Sequence, residues 1–82
     1  LATVEVGWIG PAEVIRVVEY GAFARLVEGG AEGLIHASEL TDLRGFRPDE
    51  LVSPGEVVQV KVIDVDPTRR RVGLSVRQAL LA

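Results

Sequence analysis

The feature that most constrains the fold of this chain is a change of phase within an alternating apolar segment. Val58, Val60 and Val62 alternate with polar neighbours, and then Ile63 and Val65 are the apolar residues. Successive side chains of a β-strand point to opposite faces of a sheet, so one extra residue exchanges the two faces. Residues 56–66 are therefore predicted to form a long strand with a β-bulge, a bend by which a small sheet closes into a barrel.

Four further short apolar segments predict four more strands. These segments cover residues 9–20, 22–27, 31–36 and 71–77. Valine is the commonest apolar residue in them, and β-branched residues favour strands. Residues 37–54 show no sustained period and are predicted to be a long connection with single helical turns at 38–40 and 48–52. The pattern predicts an all-β fold, a five-stranded antiparallel Greek-key barrel.

The length of the chain indicates one domain. The 82 residues include no cysteine and a single histidine, which excludes disulfides and cysteine-based zinc sites. No apolar run approaches the roughly 20 residues of a membrane span, and the first residues do not resemble a signal peptide. The chain begins with leucine and contains no methionine. We therefore expect a single domain over 1–82, with its core at about 6–79, cut from a longer cytoplasmic protein.

The charge distribution is more informative than the total charge. The formal net charge of −3 opposes binding to nucleic acid, because phosphate contacts need a basic surface. Four of the nine basic residues, however, are close together near the end of the chain: Arg69, Arg70, Arg71 and Arg77. The alternation of the fifth segment predicts an outward set of Arg71, Gly73, Ser75 and Arg77. Outward arginines can pair with phosphates through two hydrogen bonds.

Five blocks of sequence closely resemble the S1 RNA-binding domain, a family named after a bacterial ribosomal protein built from several such domains. The blocks are VEYGAF at 18–23, EGLIHASEL at 32–40, PGEVVQVKV at 54–62, DVDP at 64–67 and RVGLS at 71–75. They occur in the family's order and at its spacing, over about residues 6–79. The resemblance implies an OB-fold barrel that binds single-stranded RNA, messenger RNA in particular, and that works beside the ribosome or neighbouring domains. It places the binding positions on Tyr20, Phe23, His36, Asp66 and Arg71.

The residue pattern around the two rings agrees with that implication. Ala22, Ala24 and Leu26 form one face of the second strand, so Phe23 lies on the other face with Arg25. Tyr20 precedes the break at Gly21 and can lie on the same side as Phe23. Aromatic side chains stack on any base, at about 1–3 kcal/mol per base. The alternative is that both rings are ordinary core residues, as aromatic residues more often are.

Two other implied binding residues have alternative roles. His36 can stack on a base or donate to a phosphate, and a lone histidine can equally be structural. Asp66 can accept a hydrogen bond from a base amino group or hold Arg71 in place, and the sequence does not choose between these roles.

Trp8 has two possible roles, to seal the end of the barrel or to contact a neighbouring domain, and we slightly favour the second.

No catalytic set, metal site or cofactor motif is visible, so we expect a binding module and not an enzyme. Ser38 near His36 has no orienting acid, and the glycines do not form a phosphate-binding fingerprint. The alternative to RNA binding is a protein-interaction module of the same fold. The acidic residues Glu13 and Glu19 on the first strand motivate that alternative, and Trp8 would then contact the partner protein.

Overall fold

Five strands form a closed barrel in the computed structural model, which describes residues 5–41, 45–68 and 71–81. The strands are β1 (Ile9–Val18), β2 (Gly21–Leu26), β3 (Glu32–His36), β4 (Val57–Asp66) and β5 (Arg71–Ser75). The short helices are α1 (Ala37–Leu40), α2 (Pro48–Leu51) and α3 (Val76–Leu81). Across these ranges, no helix has the length and apolar character needed to cross a bilayer.

The order of strands around the barrel is β1-β2-β3-β5-β4, and β4 pairs again with β1. The predicted OB-fold barrel is confirmed, and the two predicted helical turns between the third and fourth strands are α1 and α2. One pairing departs from the predicted antiparallel sheet, since β3 and β5 run parallel. A closed ring with an odd number of strands cannot alternate direction throughout, so one pair has to be parallel.

The core is built from the inward-facing residues of all five strands. The core residues are nearly all small or β-branched, as a narrow barrel requires. They are Ala12, Val14, Ala22, Ala24, Leu26, Ile35, Val60, Val62, Val72 and Leu74 from the strands, with Leu40 and Val52 from the connection between β3 and β4. No aromatic residue belongs to this buried set within the described residues.

Each of the two long strands contains a bulge. In β4 the register against β5 shifts between Val62 and Asp64, which confirms the bulge predicted at Ile63. In β1 the register against β2 shifts between Val14 and Arg16, a bulge that the sequence analysis did not identify. Bulges bend a strand and increase its twist, so the two bulges allow ten-residue strands to wrap around a small core.

The close approach of β3 and β5 depends on Gly33. This residue is buried and pairs with Val72 across the parallel ladder. A Cβ atom at position 33 would overlap the backbone carbonyl oxygen of Val72. Because a backbone atom cannot move aside as a side chain can, only glycine allows the strands to approach this closely.

The predicted end of the fifth strand was wrong. The strand ends at Ser75 and α3 begins at Val76, so Arg77 is a helical residue, and Ser75 is buried instead of facing outward. The reason is a helix cap, in which the Ser75 hydroxyl accepts a hydrogen bond of 2.9 Å from the Gln78 backbone N–H. A serine followed three residues later by glutamine is a capping-box pattern, which was the available signal.

Glu39 of α1 joins this cap to the rest of the fold. Its carboxylate accepts hydrogen bonds of 2.6 Å from the Ser75 hydroxyl and 3.1 Å from the Gln78 side-chain amide. The Arg77 guanidinium lies 3.4 Å from the same carboxylate. The bond from Ser75 is the largest cause of a lowered pKa of Glu39, which burial opposes and the bonds from Gln78 and Arg77 reinforce. The ionised carboxylate therefore holds α1 against α3.

We expect the change Gly33→Ala to destabilise the barrel by about 3 kcal/mol, because the added methyl group forces β3 and β5 apart. The matched control is Gly73→Ala in the neighbouring strand, where the new Cβ would lie 3.1 Å from Cβ of Asp64, a tight contact without the overlap found at Gly33. Urea unfolding of the three proteins measures the difference. Equal losses for the two variants would contradict the assigned role of Gly33.

We expect Glu39→Gln to lower the free energy of unfolding by about 1 kcal/mol at pH 7. The variant replaces an ionised acceptor by a neutral amide, and hydrogen bonds to a neutral acceptor are weaker. A lowered pKa means that the stabilisation by ionised Glu39 is complete above its ordinary value of 4.5 and is lost as pH falls through the lower folded value. The difference between the native protein and the variant should therefore shrink below pH 4.5.

Urea unfolding at several pH values checks this expectation, with Glu28→Gln as the control for the removal of a carboxylate. Glu28 is exposed in the turn that joins β2 and β3. A difference between native protein and Glu39→Gln that stays constant from pH 7 to pH 3 would contradict the role of the ionised form.

Candidate nucleic-acid interface

An apolar row crosses the outer face of the barrel. In the strand registers Phe23 of β2 lies beside Arg16 of β1 on one side and Leu34 of β3 on the other. The row continues through Gly73 of β5 to Asp64 of β4. Phe23 and Leu34 are half-buried, and Gly73 has no side chain to raise the surface between them and Asp64. The sheet therefore presents a shallow apolar strip with a charged residue at each end.

The two aromatic rings lie on the outside of the barrel. The Tyr20 and Phe23 rings pack edge to face, with centroids 6.2 Å apart and an angle of 85° between their planes. Tyr20 is 53% exposed. Neither ring belongs to the core, so the alternative that both are core residues is wrong. The reason is the strand alternation of β2, which turns Ala22, Ala24 and Leu26 inward.

Arg16 is a member of the site that the sequence analysis missed. Its guanidinium carbon lies 4.9 Å from the centre of the Phe23 ring, within the range of a cation–π interaction. Alternation from Ala12 and Val14 would point Arg16 inward, and the bulge at Ile15 turns it outward. The signal was available, because the apolar phase moves from Val14 to Val17 across a single extra residue.

A second row, parallel to the first, carries charges of alternating sign. It runs in the strand registers through Glu13, Arg25, Glu32, Arg71 and Asp66, one from each strand. Arg25 and Glu32 form an ion pair of 2.9 Å between half-exposed side chains. Arg71 is exposed and lies between Glu32 and Asp66 in the ladders. Each of the two arginines therefore has an acidic residue on both sides.

A cleft of about 850 Å³ joins the two rows. It is lined by Ile15, Arg16, Tyr20, Phe23, Glu32, Gly33, Leu34, Arg71 and Val72. Three of the residues predicted from the sequence, Tyr20, Phe23 and Arg71, thus share one cleft. Two others lie next to it in the strand ladders, Arg25 beside Glu32 and Asp66 beside Arg71.

His36 lies at the end of β3 and has a structural task. It pairs with Gly21 in the sheet and is exposed. Its Nδ1 accepts a hydrogen bond of 3.2 Å from the backbone N–H of Ser38 and lies 2.9 Å from the Ser38 hydroxyl, so His36 caps α1. In the neutral ring an accepting Nδ1 places the proton on Nε2, which is then a hydrogen-bond donor.

The structure does not bring Arg77 into the cleft. Its guanidinium is bound to Glu39 on the helical side of the fold, as described above, and it is not among the residues that line the cleft. Arg69 and Arg70, the other members of the basic cluster in the sequence, lie outside the described residues.

The packing of Trp8 agrees with the first of the two roles considered for it, and a contact with a neighbouring domain stays a prediction. Its ring packs against the core and lies over Gly10, at the place where a side chain at position 10 would otherwise stand. The half-buried ring therefore covers part of the core beside Gly10 of β1.

No metal centre is apparent in the part of the chain that the structure describes. Those residues contain no group of three or more histidine, aspartate or glutamate side chains arranged to hold an ion. The chemistry of the cleft is that of rings, guanidinium groups and carboxylates, which suits stacking and ionic contacts with an extended, charged ligand.

Comparison with known proteins identifies the family of this chain. The family model "S1 RNA binding domain" matches residues 3–77. The small ribosomal subunit protein bS1 of Mycolicibacterium smegmatis is 49% identical over 74 residues, which are 90% of this chain and 15% of that protein. The chain thus spans a small part of the length of the curated relatives it matches.

Two solved structures have closely similar folds. GSP13 from Bacillus subtilis superposes with a TM-score of 0.87 at 38% identity, covering 98% of this chain and 61% of that one. A chain of the a/eIF2alpha–aDim2p–rRNA complex from Pyrococcus horikoshii superposes with a TM-score of 0.86 at 33% identity, covering 94% and 46%. With a family match over residues 3–77 and a closed barrel of five strands, the chain belongs to the S1 RNA-binding domain family and has its OB fold.

Proposed function

We propose that this chain binds single-stranded RNA in the cleft between its apolar and charged rows. The observation that carries the proposal is the exposed pair of rings, Tyr20 and Phe23, with the Arg16 guanidinium over one of them. Bases of an unpaired strand stack on such rings, whereas bases within a duplex are already stacked on each other. Because every base has a flat face, recognition by stacking tolerates most sequences.

The arginines supply contacts to the phosphates. Arg16 and Arg71 line the same cleft as the rings, so a strand whose bases lie on Phe23 passes close to both guanidinium groups. Arg25 lies in the charged row beside Glu32. We assign His36 a contact through its Nε2 donor, since its Nδ1 is engaged by Ser38. Asp66 is assigned to the edge of the site beside Arg71, where it orients that arginine or accepts from a base amino group.

The relatives suggest the setting in which this binding occurs. One similar structure is a complex that contains ribosomal RNA, and several curated relatives are small ribosomal subunit proteins bS1, although another is named as a 4-hydroxy-3-methylbut-2-enyl diphosphate reductase. We propose messenger RNA as the strand, the cytoplasm as the compartment, and the ribosome or neighbouring domains of a longer protein as further partners. The role is to hold RNA, and the proposal includes no catalytic step.

The alternative of a protein-interaction module receives less support. Two acidic residues of the first strand region, Glu13 and Glu19, are exposed and remain available to a partner. The structure, however, uses Trp8 to cover the core. The exposed ring pair, Tyr20 and Phe23, instead lines a cleft with two arginines, a combination that suits base faces and phosphates.

We expect Phe23→Ala to weaken binding of a fluorescent oligoribonucleotide by about 10-fold or more, because one stacking surface is lost at about 1–3 kcal/mol. The matched control is Phe46→Ala, since Phe46 is 49% exposed but lies outside the cleft. Fluorescence anisotropy at low salt measures the affinities. Failure of the native protein to bind, or equal losses for the two variants, would contradict the proposal.

Arg16→Gln and Arg71→Gln are expected to weaken binding and also to reduce its dependence on salt. The slope of log affinity against log salt concentration is negative, and each lost phosphate contact reduces its magnitude by about 0.7 for a single strand. The control is Arg47→Gln, because Arg47 is an exposed arginine that lies in α2's cap and outside the cleft. Titrations at four salt concentrations give the slopes. An unchanged slope for both cleft variants would remove these arginines from the proposed site.

A further inference from the structure

Glu32 is an acidic residue in the middle of the proposed RNA site. In the strand ladders it lies between Arg25 of β2 and Arg71 of β5. Its side chain is 60% exposed and forms part of the lining of the cleft. A carboxylate at this place meets any phosphate that approaches either arginine.

The contact between Glu32 and Arg25 uses the donors that a phosphate would need. Oε1 of Glu32 accepts from Nη2 of Arg25 at 2.9 Å and from Nε at 3.3 Å. These two donors form one edge of the guanidinium, the edge that binds an oxyanion through paired hydrogen bonds. A phosphate therefore has to displace the carboxylate in order to use this edge of Arg25.

The ion pair has little importance for the fold. Both side chains are more than half exposed, and exposed ion pairs contribute little to stability because water and salt screen them. Neither residue belongs to the buried core. Arg25 and Glu32 can therefore exchange partners when a ligand binds. The main effect of Glu32 is then on what Arg25 and Arg71 bind.

We propose that Glu32 is an affinity-limiting residue, which competes with RNA phosphate for Arg25 and repels phosphate from Arg71. This inference rests on the proposed function, because it concerns the same cleft. Glu32 leaves the stacking surface of Phe23 and Tyr20 accessible while it weakens the ionic contacts. The site then holds RNA mainly through the base faces and releases it readily.

The test is Glu32→Gln, which keeps the shape of the side chain and removes its charge. We expect the variant to bind a fluorescent oligoribonucleotide about two- to fivefold more tightly than the native protein, since an exposed charge interaction of this kind is modest. We also expect the dependence on salt to become stronger, with the magnitude of the negative slope of log affinity against log salt concentration rising by about 0.7, as one further phosphate contact forms.

Glu28→Gln is the control for the change in net charge. Glu28 lies in the turn of the same β2–β3 hairpin, and among the described residues it forms no ion pair. We expect a smaller gain in affinity for this variant and no change in slope. Equal gains for Glu28→Gln and Glu32→Gln would overturn the proposal, because the effect would then come from total charge alone.

A double-mutant cycle of Glu32→Gln with Arg25→Gln tests whether Glu32 acts on Arg25. If Glu32 masks Arg25, the gain from Glu32→Gln should fall by at least half in the Arg25→Gln background, which leaves only the share exerted on Arg71. An undiminished gain, or weaker binding by Glu32→Gln than by the native protein, would overturn the competition with Arg25.

The outcomes separate this inference from the proposed function. One possible result is that the native protein binds RNA, Phe23→Ala binds it more weakly, and Glu32→Gln binds it no more tightly than the native protein. That result would overturn the inference and leave the proposed function in place. Absence of binding by the native protein at low salt would overturn both. Circular dichroism melting of each variant checks that it is folded.

Discussion

The whole arrangement depends on the bending of two long strands around a core of small residues. A flat sheet of five strands cannot close, and β1 and β4 bend because each contains one extra residue. The same extra residue exchanges the faces of the strand beyond it. The bulge in β1 places Arg16 over Phe23, and the bulge in β4 gives Asp64 and Asp66 their positions at the ends of the two rows. The two bulges therefore both allow the barrel to close and place the side chains of the proposed binding surface.

The separation into an apolar row and a charged row explains how an acidic domain can bind an anion. The net charge of −3 describes the whole chain, whereas a ligand responds to the groups within a Debye length, about 8 Å at physiological ionic strength. Within the cleft the rings supply attraction that does not depend on charge, and Arg16 and Arg71 supply the local positive charge. The alternating signs of the second row keep that charge local and moderate.

Much of this could be predicted from the sequence, and the failures have a common cause. Alternation in the second segment correctly placed Phe23 outside, and the change of phase after Val62 correctly located a bulge. The bulge at Ile15 was missed, although Arg16 and Val17 carry the same kind of signal, because β-branched residues on both faces obscure the period. Arg16 was lost from the predicted site with it.

The end of the fifth strand failed for a different physical reason. Residues 71–77 alternate as well as any strand, yet a buried hydroxyl at position 75 caps a helix and binds a carboxylate 36 positions earlier in the chain. Local periodicity carries no information about such a distant partner. The consequence was that the alternation predicted Arg77 on the outer face of the strand, whereas it lies in α3 beside Glu39 and does not line the cleft.

Two polar caps at the same end of the barrel then decide how firmly the binding face is held. His36 caps α1 at the end of β3, and Ser75 caps α3 at the end of β5, the strand that runs parallel to β3. Glu39 connects the two helices that these caps begin. The neighbouring strands that carry Leu34 and Arg71 are thus fixed at their ends by hydrogen bonds, while Gly33 fixes their separation in the middle. Phe23 of β2 pairs with Leu34 of β3, so the proposed stacking surface lies against a strand that is already ordered, and less of the free energy of stacking would be spent on ordering the site.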